Sequence, residues 1–242
     1  MSKLADSNKE LIIDFHSHIL PGIDDGSKSM EESLRMLETS RDSGVECVVL
    51  TPHFYADKWD AATFLSSRAR AFEELSSAAS ELGIMLALGA EVEYFEGITA
   101  MEELQSMNIS GTDAVMIEMP FCPWSKRVVR DVIEIAGRRK HRVIIAHIER
   151  YIDYQDEAVI EDLLNAGVVM QANANSFSGL FRSHKCIKML KNGLIHVIGS
   201  DCHNMTVRPP NLMSALDTIG KKCGTAALDN IMRVGNSILF GE

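Results

Sequence analysis

The chain has 242 residues, a length that suits a single domain of the size of an α/β barrel. Apolar residues make up 46% of the sequence and charged residues 24%, so a hydrophobic core of ordinary size can form. The net charge of −10 repels phosphate backbones and argues against a general nucleic-acid-binding protein.

Seven short apolar runs alternate with longer amphipathic segments along the chain. The runs are rich in Val and Ile with polar flanks, as is typical of buried parallel strands, and they cover residues 11–15, 47–51, 85–89, 114–117, 143–146, 168–171 and 196–199. Helical periodicity is found between them at residues 30–41, 61–82, 128–139, 158–166, 184–191 and 212–219.

This strict alternation predicts an α/β fold with a parallel sheet. The layout favours a closed TIM-like barrel, (β/α)7, with one strand–helix unit fewer than the usual eight. A doubly wound open sheet is the competing topology, and periodicity alone does not separate the two. The polar residues 1–10 form a predicted N-terminal extension, and residues 11–242 form a predicted single domain.

Side chains of the types that bind metals follow the ends of the predicted strands. The candidate ligands are His16, His18, Asp25, His53, Glu91, Glu118, His147, Asp201 and His203, while the sixth strand ends at Asn173 and Asn175. Each motif alone is weak, since a lone histidine is more often a hydrogen-bonded core residue. Because the carboxyl ends of parallel barrel strands meet on one face, the recurrence of these residues predicts one shared site.

Imidazole and carboxylate ligands without thiolates suit Mn, Fe, Zn or Mg rather than a structural zinc site. The set is too large for one ion, so two or three ions sharing carboxylates are expected. Paired ions about 3.5–4 Å apart hold a hydroxide nucleophile and neutralise a phosphate oxygen. Arg150 and Arg208 follow His147 and His203 closely and are expected to clamp phosphate on the same face. The residues therefore predict a metal-dependent phosphoesterase.

Three longer motifs carry a family resemblance: DFHSHILPGIDDG at residues 14–26, AHIERY at 146–151 and SDCHN at 200–204. Together with Arg208-Pro209-Pro210, they resemble the bacterial manganese-dependent tyrosine phosphatases of capsule and exopolysaccharide loci. That family belongs to the polymerase-and-histidinol-phosphatase (PHP) superfamily. The resemblance extends from about residue 12 to the C-terminus.

The resemblance implies a distorted seven-stranded PHP barrel that holds a cluster of three Mn²⁺ ions. Its first ion would be held by His16, His18, Glu91 and Asp201, its second by Glu91, Glu118 and His147, and its third by Asp25, His53 and His203. Arg150 and Arg208 would bind the phosphate. The implied substrate is the phosphorylated, Tyr-rich tail of a membrane tyrosine autokinase that controls polysaccharide export, and some family members form ring-like oligomers.

The predicted reaction is the attack of a metal-bound hydroxide on the phosphorus of phosphotyrosine, with no covalent phosphoenzyme. Cysteine-dependent phosphatase chemistry is not expected, because Cys202 alternates with Asp201 and His203 and its side chain should face away from the site. Two other enzymes fit the pattern less well: a histidinol-phosphatase-like enzyme acting on a small molecule, and a metal-dependent amidohydrolase or deacetylase. A catalytically idle metal-binding regulator of a kinase is the alternative from outside the enzymes.

The five cysteines are odd in number and form no CxxC pair, which indicates a reducing compartment rather than a disulfide framework. No apolar run approaches the roughly 20 residues that span a bilayer, and the N-terminus lacks the apolar segment of a signal peptide. A cytoplasmic protein without membrane insertion is therefore predicted.

Overall fold

The computed structural model describes residues 10–138 and 141–241. The strand segments are β1 (Ile13–Ser17), β2 (Cys47–Leu50), β3 (His53–Phe54), β4 (Met85–Leu88), β5 (Glu91–Glu93), β6 (Ala114–Glu118), β7 (Arg142–Ile145), β8 (Val169–Asn173) and β9 (Val197–Gly199). The α-helices are α1 (Met30–Ser43), α2 (Ala61–Ala78), α3 (Lys126–Arg138), α4 (Glu157–Asn165), α5 (Leu180–Lys191), α6 (Leu212–Cys223) and α7 (Thr225–Phe240). The predicted extension at residues 1–10 lies outside the described residues except for Glu10.

The nine segments trace seven strand paths, because two paths are interrupted. Pro52, which has no N–H to donate to a sheet, separates β2 from β3, and residues 89–90 separate β4 from β5. All pairings are parallel, with β1-β2-β4 in one sheet and β3-β5-β6-β7-β8-β9 in the other. The paths therefore follow chain order from first to last. This order confirms the barrel and excludes the doubly wound sheet, in which strand order reverses at a switch point.

The first and last strand paths meet and close the sheet. A β-bridge joins Ser17 to Cys202. The N–H of Asp201 donates to the carbonyl oxygen of His16 at 2.7 Å, and the N–H of His18 donates to the carbonyl oxygen of Cys202 at 2.9 Å. Gly199 permits this contact, since a Cβ at that position would lie 2.6 Å from the backbone nitrogen of His16. Closure sets the histidines of the first strand beside those of the last.

Side chains of the strands alternate between two apolar clusters, as a closed sheet requires. Cys47 and Val49 of β2 belong to the smaller cluster, while Val48 and Leu50 pack in the larger cluster with the helices. The same face of β6 that carries Met116 in the smaller cluster ends at Glu118. The interior is thus apolar at one end and ends in polar side chains at the mouth of the barrel.

The helices begin and end close to the predicted positions, with one addition. Helix α1 begins after Ser29, whose side chain accepts a hydrogen bond from the N–H of Glu32, and it ends at Gly44 with φ 110°. Helix α7 was not predicted from the sequence. It packs on β1, where Gly235 admits the ring of Phe15. No helix among the described residues is both long and apolar enough to cross a membrane.

Candidate metal centre

Glu91 lies at the centre of the polar cluster at the barrel mouth and is completely buried. Its Oε2 lies 3.1 Å from Nε2 of His16, 3.3 Å from Nε2 of His18 and 3.1 Å from Nδ1 of His53. Its Oε1 lies 3.0 Å from Nε2 of His147. One carboxylate thus faces four imidazoles that come from three different strand paths, which is the position of a bridging ligand.

The remaining predicted ligands surround this centre. Asp201 Oδ1 lies 3.4 Å from Nε2 of His18, Glu118 Oε1 lies 3.5 Å from Nε2 of His147, and Asp25 Oδ1 lies 3.4 Å from Nε2 of His203. Ligand atoms converge within 4.8 Å in three overlapping groups: His16, His18 and Glu91; His53, Glu91 and Glu118; and His18, Asp25, His53 and His203. The structure therefore brings all nine predicted ligands together, while their division among individual ions stays a prediction.

The hydrogen bonds behind two histidines leave their inner nitrogens free to bind a cation. Nδ1 of His18 lies 2.7 Å from Asp24 Oδ2, and Nδ1 of His16 lies 3.2 Å from Gln171 Oε1. That oxygen also accepts the N–H of His147, which identifies it as the carbonyl oxygen of the amide. Both Nδ1 atoms therefore carry a proton, and each Nε2 presents a lone pair when the ring is neutral. Such lone pairs fit a shared cation.

Buried atoms of the cluster also lack aligned hydrogen bonds. Among the described residues, Oε1 of Glu91 and Nδ1 of both His53 and His147 are buried without a hydrogen-bond partner. Nδ1 of His53 lies 3.1 Å from Oε2 of Glu91, and Oε1 of Glu91 lies 3.0 Å from Nε2 of His147. Neither contact has the angles of a hydrogen bond. Unsatisfied buried groups cost about 1–3 kcal/mol each. Cations at the centre would satisfy the oxygen of Glu91 and the facing nitrogen of His53.

Local charges give several members of the cluster the protonation states suited to metal binding. Burial, together with the nearby His18, lowers the pKa of His203 to about 4, and burial also lowers the pKa of His53. Burial opposes ionisation of Glu91, but His16 and the other histidines outweigh it and hold its pKa well below the ordinary value. Neutral imidazoles and ionised carboxylates are the forms that coordinate metals.

Two of the predicted ligands have left-handed backbone conformations that non-glycine residues rarely adopt. His147 has φ 34° and Asp201 has φ 53°, and both stand at the end of a strand. The N–H of His147 donates to Gln171, and that of Asp201 donates to the carbonyl of His16. Strain of this kind, of order 1–3 kcal/mol per residue, persists where surrounding contacts enforce it and clusters at functional sites.

Two arginines lie beside the cluster on the face of Asp201. Nη2 of Arg150 lies 2.7 Å from Asp201 Oδ2, and Nη2 of Arg208 contacts the same oxygen. Nη1 of Arg208 also lies 3.0 Å from Nε2 of His203. Both arginines line a cavity of about 170 Å³ together with Asn173 and Ser200. Two guanidinium groups beside a cluster of candidate metal ligands suit a phosphate group, which such groups bind with paired hydrogen bonds.

Sequence reasoning missed the residues that orient the ligands. Asp24 lies behind His18 and Gln171 behind His16, while the buried Asp14 accepts hydrogen bonds from the N–H groups of Ser200 and His16. Burial raises the pKa of Asp14 to about 6. A signal was present for Gln171, a polar residue inside an apolar strand pattern. Nothing in the sequence distinguishes Asp24 from the adjacent Asp25 by role.

Known proteins share both the sequence and the fold. The family model "Capsular polysaccharide synthesis, CpsB/CapC" matches residues 12–239. The tyrosine-protein phosphatase CpsB of Streptococcus pneumoniae is 29% identical over 88% of this chain and 91% of its own length. The putative tyrosine-protein phosphatase CapC of Staphylococcus aureus is 27% identical over 96% of this chain and 92% of its own length.

A solved structure shows the same fold. It comes from a study of YwqE from Bacillus subtilis and CpsB from Streptococcus pneumoniae, described as metal-dependent tyrosine phosphatases, and it superposes with a TM-score of 0.83. The match covers 94% of each chain at 21% sequence identity. With the family model spanning nearly the whole of the barrel, this chain belongs to the CpsB/CapC family of capsular polysaccharide synthesis proteins.

Proposed function

We propose that the protein is a metal-dependent protein tyrosine phosphatase. The observation that carries this proposal is the convergence of nine histidine, aspartate and glutamate side chains beside Arg150 and Arg208. The names of the relatives CpsB and CapC support the same activity. Two guanidinium groups beside the candidate metal ligands favour phosphoester hydrolysis over the hydrolysis of an amide.

Each residue has a proposed role in this reaction. His16, His18, Asp25, His53, Glu91, Glu118, His147, Asp201 and His203 hold two or three divalent ions, with Mn²⁺ as the proposed native metal. When bound, such ions supply an activated water and neutralise charge on a phosphate oxygen. Arg150 and Arg208 bind the remaining phosphate oxygens and stabilise the charge that develops in the transition state. Asp24 and Gln171 keep His18 and His16 in the tautomer that coordinates.

The proposed reaction does not use a cysteine nucleophile. Cys202 and Arg208 have the Cys-x5-Arg spacing of cysteine-dependent phosphatases, but the side chain of Cys202 is completely buried. Burial, with Asp14 nearby, raises the pKa of this thiol well above its ordinary value. A protonated, inaccessible thiol is a poor nucleophile.

We further propose a substrate and a setting. The substrate is a phosphotyrosine protein, the tail of a bacterial tyrosine autokinase that regulates capsular or exopolysaccharide synthesis, in keeping with the description of the family. The five cysteines, all within the described residues, are free, which supports action in the reducing cytoplasm. Assembly into a homo-oligomer is part of the proposal, with α1 as the candidate contact helix.

Hydrolysis assays with the Mn²⁺-loaded protein test the proposal. A phosphotyrosine peptide is expected to be hydrolysed faster than histidinol phosphate, and chelator is expected to abolish the activity. His147→Ala removes a predicted ligand, whereas His184→Ala changes an exposed histidine outside the cluster and is the matched control. Absence of turnover in the metal-loaded protein, or equal activity of the two variants, would overturn the proposal.

A further inference from the structure

An exposed aromatic side chain lies at the rim of the metal centre. Phe121 follows β6 shortly after the predicted ligand Glu118, and 57% of its surface is exposed. Its ring stacks on the imidazole of His147, with centroids 6.0 Å apart and planes 20° apart. Its centroid also lies 5.0 Å from that of the buried Tyr151. The ring is thus positioned by contacts on one side and offers its other surface to solvent.

A second aromatic ring occupies the corresponding position over another ligand. Tyr55 follows β3 and is half-buried, and its ring stacks on His53 with centroids 4.9 Å apart and planes 25° apart. Lys58 Nζ lies 3.9 Å from the centroid of this ring. Each of the two aromatic rings therefore lies against a predicted metal ligand.

The strand order divides the rim into two parts. Tyr55 and Phe121 follow the second and fourth strand paths, whereas Arg150 and Arg208 follow the fifth and seventh. The arginines contact Asp201, and the aromatic rings lie against His53 and His147, both of which contact Glu91. The aromatic rings lie outside the cavity that the arginines line, so only the ester group of a phosphate held at the metal centre could reach them.

We propose that Phe121, assisted by Tyr55, binds the phenyl ring of the substrate and makes the site selective for aryl phosphates. This inference rests on the proposed phosphatase function and specifies which phosphoesters it accepts. Aromatic rings gain from stacked or edge-to-face contacts beyond the area that they bury. A phosphorylated alkyl side chain has no ring to make such contacts, so Phe121 would favour phosphotyrosine over phosphoserine.

Phe121 could instead serve only to cover His147. In that case, removal of the Phe121 ring would disturb the metal centre and weaken the binding of every phosphate-like ligand to the same degree. Binding of two ligands that share one anionic head group separates these roles. Phenylphosphonate and methylphosphonate both resist hydrolysis and differ in the ring alone.

The test measures both affinities by calorimetry on the Mn²⁺-loaded protein. Phe121→Leu is expected to weaken the binding of phenylphosphonate roughly three- to tenfold. The affinity for methylphosphonate and the metal content should not change. Phe121→Tyr should retain the wild-type preference. Phe181→Leu is the matched control, because Phe181 is 93% exposed on α5 and outside the site.

Equal weakening of both ligands, no change in either, or no preference for phenylphosphonate in the wild type would overturn the inference. A different result would show that the proposed phosphatase function is wrong while the inference about Phe121 holds. The protein would then prefer phenylphosphonate through Phe121 and still leave a phosphotyrosine peptide intact.

Discussion

The Nε2 atoms of His16 and His18 lie 3.0 Å apart, although the opposite nitrogen of each ring already faces a hydrogen-bond acceptor. Two lone pairs at this distance repel each other unless a positive charge lies between or beside them. A proton or a divalent ion can supply that charge, and the two compete for the same nitrogens.

Metal binding is therefore expected to stabilise the protein. Mn²⁺ at 100 times its dissociation constant adds about 2.7 kcal/mol per site, which corresponds to a rise in Tm of roughly 5–10 °C for a domain of this size. Thermal unfolding with and without Mn²⁺ measures the shift. His16→Ala should lose most of the shift, while His184→Ala should keep it. An identical shift in both variants would place the stabilising ion elsewhere.

Metal affinity is expected to fall as the solution becomes more acidic. In the metal-free protein, burial opposes protonation of His18, but Asp24, Asp201 and Glu91 outweigh burial and raise its pKa well above 6.5. Glu118 and Glu91 similarly raise the pKa of His147 to about 9. Both rings therefore bind protons at neutral pH that a metal must displace, and each displaced proton weakens binding roughly tenfold per pH unit of acidification.

Mn²⁺ titrations at pH 6, 7 and 8 measure this dependence. Asp24→Asn removes the charge behind His18, so its pKa should fall and the pH dependence should become shallower. A dissociation constant that does not change between pH 6 and pH 8 would contradict the assigned proton competition.

Loss of either arginine is expected to impair phosphate binding without removing metal. Arg150→Ala and Arg208→Ala should each lower kcat/KM for a phosphotyrosine peptide by about 10²-fold, because each removes a charged donor to the transition state. Lysine at either position should restore only part of the activity, since it lacks the planar pair of donors. Arg70→Ala, at an exposed position on α2, is the matched control. Unchanged kinetics in the two site variants would remove these arginines from the phosphate site.

Replacement of Cys202 by alanine is expected to leave activity within about twofold of wild type. Its thiol is buried and protonated, so its loss affects packing by roughly 1 kcal/mol rather than chemistry. Phosphotyrosine hydrolysis and thermal unfolding of Cys202→Ala check both parts. A loss of activity with full metal content would indicate a cysteine-dependent reaction.

Gly199→Ala is expected to disrupt both the barrel closure and the metal centre. The new Cβ would meet the backbone of β1 at His16, so the first and last strands must separate. A destabilisation of about 2–4 kcal/mol and a loss of Mn²⁺ affinity should follow. Gly137→Ala, in the open on helix α3, should be neutral or stabilising by up to about 1 kcal/mol. Wild-type metal affinity in Gly199→Ala would show that closure does not position His16.

The strand–helix order and the set of side chains at the barrel mouth could be predicted from the sequence. Strand-end residues such as Glu91 and Glu118 are found this way because a parallel barrel carries all carboxyl ends to one face. The interruption at Pro52 and the shift in the register of β1 between Asp14 and Ser17 were not predicted. The register shift depends on contacts with the neighbouring strand, whereas Pro52 was a local signal that the prediction did not use.

The hydrogen-bond partners of the predicted metal ligands were not predicted from the sequence either. Asp24 and Gln171 act through contacts with His18 and His16, and the contact from Gln171 spans 155 positions along the chain. Helix α7 was missed, although its packing on Phe15 is tight in the folded chain. Periodicity reports which face of a segment is buried, but it does not report which distant residue lies against that face.

The left-handed backbone at His147 sets stability against activity at a single position. Glycine there would relax the main chain and favour the folded state, yet it would delete an imidazole from the cluster. Directed evolution for heat resistance in metal-free buffer would therefore favour variants that have lost this metal ligand. Such an experiment should therefore screen for catalytic activity in every round, so that His147 is retained.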